Sequence, residues 1–173
     1  MAIYMFEDTQ PSISPSAFVH PSAVLIGDIV VGEGCYIGPG ASLRGDFGSI
    51  VIEPESNLQD NCVMHGTIGS MTVIHRRGHV GHGAIVHGCT IGEDVLVGMN
   101  AVVMDGCVIG AGSIIGACSM VRAGFICEKA SLLVGAPAKL IRHLNERDFR
   151  KKREATQRYI DLAKRCHTDL KQC

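Results

Sequence analysis

Several features are missing from this sequence, and each absence narrows its function. Lysine and arginine total 16 against 17 aspartates and glutamates, for a net charge of −1. The cations are spread thinly except near the C-terminus, so the dense basic face of a nucleic-acid binder is absent. No apolar run approaches the ~18 residues of a membrane-spanning helix. The opening MAIYMFEDTQP has neither a basic start nor an apolar h-region, so no secretory leader is expected. The eight cysteines fall singly at 35, 62, 89, 107, 118, 127, 166 and 173, never as C-x-x-C. Together these features predict a cytoplasmic protein with reduced thiols, most of them packing as small hydrophobes.

What the sequence does contain is a period of six. Aliphatic residues recur at Val19, Leu25, Val31, Ile37 and Leu43, at Ile52, Leu58 and Met64, and at Ile91, Val97, Val103, Ile109, Ile115 and Val121. Glycine often follows directly, and a small residue often comes four positions later: Ala23, Cys35, Ala41, Cys62, Ala101, Cys107, Ser113 and Ser119. Six is neither the 3.6 of a helix nor the 2 of a lone strand. It suits a solenoid whose short rungs each send one aliphatic and one small residue inward. A β-sandwich would place its turn signals every 8–12 residues, so that architecture is excluded.

The period breaks at Gly48–Val51 and again from Gly66 to Gly78. The second stretch, GTIGSMTVIHRRG, is read as a protruding loop at about 66–78. The solenoid is assigned to 12–140 and a C-terminal helix packed against it to 141–173. Asn145 serves as the helix N-cap, and Leu144, Phe149, Tyr159, Leu162 and Ala163 line one face. The run RKKR at 150–153 reads as a solvated face, or else as a docking surface for an acidic partner or a CoA phosphate.

Five of the eight histidines lie in residues 62–88, flanking the loop. His65 and His87 each follow a rung aliphatic and precede glycine, and His82 sits close to one coil after His65. On neighbouring coils the three imidazoles could project from one edge. Three neutral imidazoles with a fourth position open form the ligand set of a catalytic zinc site. The same residues could instead hydrogen-bond to turns or face solvent. His75 and His79 match no rung and read as accessory.

The hexapeptide period resembles the hexapeptide-repeat family, which implies a left-handed parallel β-helix with three rungs per coil. SLRGDFG (42–48), NLQDNCVMHG (57–66), GHGAIVHG (81–88) and VGAPAKLIR (134–142), in this order, resemble its γ-class carbonic anhydrase-like branch. The tail and LVGMNAVVMDG (96–106) narrow this to the members found in phenylacetate-degradation and carnitine operons. The resemblance implies a homotrimer with Zn2+, or Fe2+, at each subunit interface. His65 and His87 would come from one chain and His82 from its neighbour. Gln59 would orient water on the metal, and Arg44, Asp46 and Asp60 would form an ion-pair network joining subunits. The implied chemistry is attack of metal-activated water on a carbonyl. The operon resemblance implies an acyl-CoA thioester, hydrolysed in support of phenylacetate or carnitine metabolism. The alternatives are CO2 hydration to bicarbonate, CoA-dependent acyl transfer, and a non-catalytic trimeric accessory protein. The archaeal prototype carries acidic residues after its RGD and in the following loop, where this chain has Phe47 and a carboxylate-free Thr67–Gly78. His75 or His79 would then have to shuttle the proton.

Overall fold

The computed structural model describes residues 2–173. The chain winds into a left-handed parallel β-solenoid of about seven turns, closed by a C-terminal helix. One face of the triangular prism is a ladder running through Phe18–Val19, Tyr36–Ile37, Asn57–Leu58, His79–Val80, Leu96–Val97 and Ile114–Ile115. Its last two strands, Ser131–Gly135 and Ala138–His143, form an antiparallel hairpin that ends the coil. The second face passes through Val63–His65, Ile85–His87, Val102–Val103 and Met120–Val121. The third passes through Met71–Ile74, Thr90–Ile91, Val108–Ile109 and Ile126–Cys127. The last two faces share one 12-stranded sheet, because Val24–Val31 and Ser42–Ile52 run unbroken round the corner between them.

The stepped aliphatics form the core. Leu25, Ile37, Leu43, Ile52, Leu58, Met64, Ile91, Val97, Val103, Ile109, Ile115 and Val121 are fully buried, and Val19 and Val31 nearly so. Each large aliphatic contributes roughly 1.5–3 kcal/mol by leaving water. The small residues between them, Cys35, Cys62 and Cys107 included, are also buried. Burial pushes the Cys35 and Cys62 thiols up to about 11, which keeps them protonated and unreactive.

The irregular segment departs from expectation. Met71–Ile74 is a strand, paired with Ser49–Ile52 on one side and Thr90–Ile91 on the other. Only residues 66–70 leave the ladder. Those five residues shift the phase, after which Ile74, Val80 and Val86 resume the step of six, all fully buried. The two breaks in the period are also one feature. Gly69 donates to the Phe47 carbonyl and Ser49 to the Ser70 carbonyl, so the widened corner at 45–49 stacks on the turn at 66–70. Gly45 is required there, since a Cβ would drive into the carbonyl oxygen of Asp28.

Both ends of the solenoid differ from the expected bounds. Ala2–Tyr4 already pairs with Val24–Ile26, ahead of residue 12. Residues 141–143 belong to the final strand, and the helix spans Glu146–Asp169. Asn145 caps it, with Asp148 completing a capping box. The helix lies across the start of the first face. Tyr159 packs edge-on to Tyr36, which stacks on Phe18, while Ile160 and Ala163 are buried beneath. Lys152 breaks the solvated reading of RKKR. It is 2% exposed, its ammonium 2.8 Å from Asp94 Oδ1 on a solenoid corner.

Candidate metal centre

The strands of the second face end at His65 and His87, in register on adjacent coils. His82 occupies the turn that leads into that face from the first. The two locations are opposite corners of one face, so the expectation of three imidazoles on a single edge does not hold within one chain. Among the described residues, no three His, Cys, Asp or Glu side chains of one chain converge on a point that could hold a metal ion.

His65 and His87 do converge. His65 Nδ1 lies 3.2 Å from His87 Nε2. The other nitrogen of each ring is engaged by a carboxylate: His65 Nε2 by Asp46 Oδ1 at 2.8 Å, and His87 Nδ1 by Asp105 Oδ1 at 2.9 Å. A neutral imidazole that donates one N–H to a carboxylate presents a lone pair at its other nitrogen. With both rings donating to their aspartates, two lone pairs would face each other across the gap. Two nitrogens bound to one tetrahedral zinc are roughly 3.3 Å apart, so the gap suits a shared cation. The donor set fits a divalent metal.

His82 follows the same pattern. Its Nδ1 contacts Asp60 Oδ2 in a close pair, and its Nε2 is left to Tyr159 Oη at 3.4 Å. Each of the three histidines thus takes an aspartate from a neighbouring coil: 46 for 65, 60 for 82 and 105 for 87. Carboxylates behind imidazoles fix the tautomer and ring direction of metal-binding histidines. Asp60 accordingly braces His82 within the chain, and the network implied by resemblance lies between subunits. Within one chain, Arg44 Nη1 is 3.3 Å from Asp46 Oδ2 and the guanidinium is half exposed. Burial works to raise the Asp46 carboxyl, but the His65 hydrogen bond and the Arg44 charge hold it below its usual value. Phe47 lays its ring 5.5 Å from that of His65, an apolar cover where the prototype has an acid.

Gln59, His79 and His82 line a groove of about 440 Å3 with Leu96, Met99 and Tyr159, between the first face and the helix. His79 is therefore a rung residue, 7% exposed, and not part of a loop. Burial, aided by the positive charge of Lys152 and by His82, pushes it down to about 4. His75 pairs with Glu53 at 3.0 Å on a different corner. Within the chain neither stands beside the His65–His87 pair. Asp105 escaped the sequence reading, while Tyr159 was read only as part of the helix face and His79 only as an accessory residue beside the loop. A signal for Asp105 existed, since it stands about one coil after His87 as His65 stands about one coil after Asp46.

The carboxylate behind His87 makes a direct test. Asp105→Asn keeps the shape and removes the charge, and metal affinity should fall roughly tenfold to a hundredfold by competition with a chromophoric chelator. Unchanged affinity would show that His87 does not depend on its brace.

Comparisons with known proteins agree with this architecture. The family described as "Bacterial transferase hexapeptide (six repeats)" matches residues 11–45 and 88–123, skipping the irregular coils that carry the histidines. A protein of Salmonella newport described as carnitine operon protein CaiE is 55% identical over 170 residues, covering 98% of this chain and 86% of the relative. A candidate acetyltransferase of Bacillus cereus superposes with a TM-score of 0.93 at 33% identity, covering 94% of this chain and 95% of that one. A hexapeptide transferase family protein from Anaplasma phagocytophilum gives a TM-score of 0.90 at 34% identity, covering 94% of this chain and 96% of that one. With its six-residue rungs, closed solenoid and relatives of this identity over nearly its whole length, the chain belongs to the hexapeptide-repeat family.

Proposed function

We propose that the chain is one subunit of a homotrimeric, metal-dependent hydrolase of acyl-CoA thioesters, with each site formed between two subunits. The observation that carries this is the set of three carboxylate-braced histidines split between opposite corners of one face. A cyclic trimer brings one edge of each subunit against the other edge of the next. His65 and His87 of one chain then meet His82 of its neighbour. Bound there, a zinc or ferrous ion supplies Lewis-acid activation of water and of the substrate carbonyl. The chain's own part is positional. Asp46, Asp60 and Asp105 hold the imidazoles, Gln59 accepts a hydrogen bond from the attacking water, and Arg44 with Asp46 ties the edge together. Water adds to the thioester carbonyl, the C–S bond breaks, and CoA leaves as the thiol.

The thioester is favoured over CO2 by the carnitine-operon relatives and by the carboxylate-free segment Thr67–Gly78, which leaves fast proton export without an obvious carrier. CoA-dependent acyl transfer is the second reading, because solved structures similar to this one are described as transferases. It would use the Asp60–His82 pair as a base without metal.

Metal analysis of protein purified without added metal, followed by steady-state assays, separates these readings. The expected result is a trimer with about one zinc or iron per chain, as a ring with one interface per subunit requires. Hydrolysis of acyl-CoA should vanish on chelation and return with metal. Metal-free protein that acetylates an amine acceptor would replace this reading with acyl transfer. Metal-loaded protein that hydrates CO2 but leaves thioesters intact would replace the substrate.

A further inference from the structure

Gln59 is 3% exposed, and its Nε2 lies 2.9 Å from Asn57 Oδ1 and 2.8 Å from His79 Nε2. A side-chain amide has two N–H protons, and these two acceptors use both. The Gln59 carbonyl oxygen is left for the groove that Gln59 shares with His82.

That orientation requires His79 Nε2 to accept, so the single proton of neutral His79 must sit on Nδ1. Nδ1 lies 3.3 Å from Asn57 Nδ2 and 3.4 Å from Thr156 Oγ1. The Asn57 NH2 group is a donor turned toward the same nitrogen and opposes that proton, so Thr156 Oγ1 is the acceptor in reach that holds it there. Its hydroxyl is free to accept because its own proton goes elsewhere. Thr156 Oγ1 lies 3.2 Å from the Lys152 carbonyl, the bond back to i−4 that helical threonines make. Were Thr156 to donate to Nδ1 instead, the His79 proton would move to Nε2. The Gln59 amide would then turn over, with Asn57 turning to offer its NH2 in place of Oδ1, and Gln59 would present its NH2 to the groove. The hydroxyl of one helix residue, together with Asn57, therefore decides which end of Gln59 meets a ligand.

We propose that Thr156 and His79 are positioning residues that hold the Gln59 carbonyl oxygen toward the groove, where it accepts a hydrogen bond from the attacking water. The proposal rests on the reading of Gln59 as a site residue given above. Burial of His79 supports it, since an imidazole enclosed by the helix stays neutral across the physiological range.

The test is T156V in the full-length protein, a near-isosteric change that removes the hydroxyl, both the acceptor for His79 and the donor to the Lys152 carbonyl. Nitrogen-15 spectra of the histidine rings read the tautomer directly, with and without metal. Wild-type His79 should show a protonated Nδ1, and the Gln59 side-chain amide should exchange slowly with solvent. In T156V the His79 proton should shift toward Nε2, and Gln59 amide exchange should quicken. The turnover number should fall roughly tenfold, the worth of one hydrogen bond, at unchanged KM. T156S should restore all three. His79→Phe, which fills the pocket without offering an acceptor, should reproduce the loss and bind metal as wild type does. Unchanged His79 tautomer and Gln59 exchange in T156V would overturn the proposal whatever the rates. Wild-type protein with no hydrolase activity would instead count against the function, and the ring spectra would still decide the positioning.

Discussion

His82→Ala and His87→Ala homotrimers should each purify with almost no bound metal and no hydrolase activity, yet regain both when unfolded and refolded together. A complete site needs His65 and His87 from one subunit and His82 from the next. In an equal mixture, half the subunits supply an intact first edge and half an intact second edge. Random assembly into rings therefore rebuilds about a quarter of the sites, and metal content should rise to about that fraction of wild type. His75→Ala is the control and should load fully, since that ring is committed to Glu53 on another corner. Single variants should remain trimeric by light scattering, which separates loss of the site from loss of assembly. Full metal in His82→Ala trimers would remove His82 from the ligand set. Trimers that mix freely yet recover nothing would place all three histidines in one chain's site.

The fold also shows which parts of the molecule could be read from sequence. The core was legible because each rung repeats one local rule. Leu25, Ile37, Leu43 and their successors are buried for the same reason at every turn, so the pattern survives without any long-range information. The five residues at 66–70 broke that rule once, and the shift in phase hid Ile74 inside an apparent loop and left Val80 out of the period. His79 was misplaced with them. Its role depends on the helix that covers it, and no periodicity within the solenoid reports on what a distant segment covers.

The histidine–aspartate pairs were half legible. Asp46 and Asp60 stand out through family resemblance, which implies subunit contacts; within one chain each also lies behind an imidazole of an adjacent coil. Asp105 carried no motif of its own. Its significance lies in a distance of about one coil, which becomes visible only once the length of each coil is known. Those lengths vary here, because Asn57 aligns with His79 while His79 aligns with Leu96. The tail misled for a different reason. In RKKR, four cations in a row read as solvated, yet a helix turns each residue by about 100°, so one of the four must face inward. That residue is Lys152.

Asp94→Asn should be the most destabilising conservative change outside the core. Lys152 is 2% exposed, with its ammonium 2.8 Å from Asp94 Oδ1 and a further close contact to the Asp94 carbonyl. Asparagine keeps the size and tolerates the left-handed backbone that Asp94 adopts at φ +55. What it removes is the counter-charge, and an uncompensated buried cation costs about 3 kcal/mol or more. For a chain of this length that should lower the melting temperature by roughly 10 °C at neutral pH. The pH dependence identifies the cause. Burial lowers the Lys152 ammonium below the ordinary lysine value of 10.5, and Asp94 opposes that shift. Without Asp94 the folded-state value falls further, so the unfolded chain binds more protons than the folded one over a wider range below 10.5. Stability rises with pH wherever the unfolded state holds more protons. The deficit of the variant relative to wild type should therefore be greatest at neutral pH and shrink as pH climbs toward 10.5, the two proteins being compared at equal subunit concentration. Taking the difference at each pH cancels the buried thiols, which titrate alike in both proteins. Hydrogen exchange should show the helix amides opening first, because Lys152 is the charge that fastens the helix to the solenoid. A deficit that stays constant from neutral to alkaline pH would mean that Asp94 acts through the shape of its turn and not through the buried lysine.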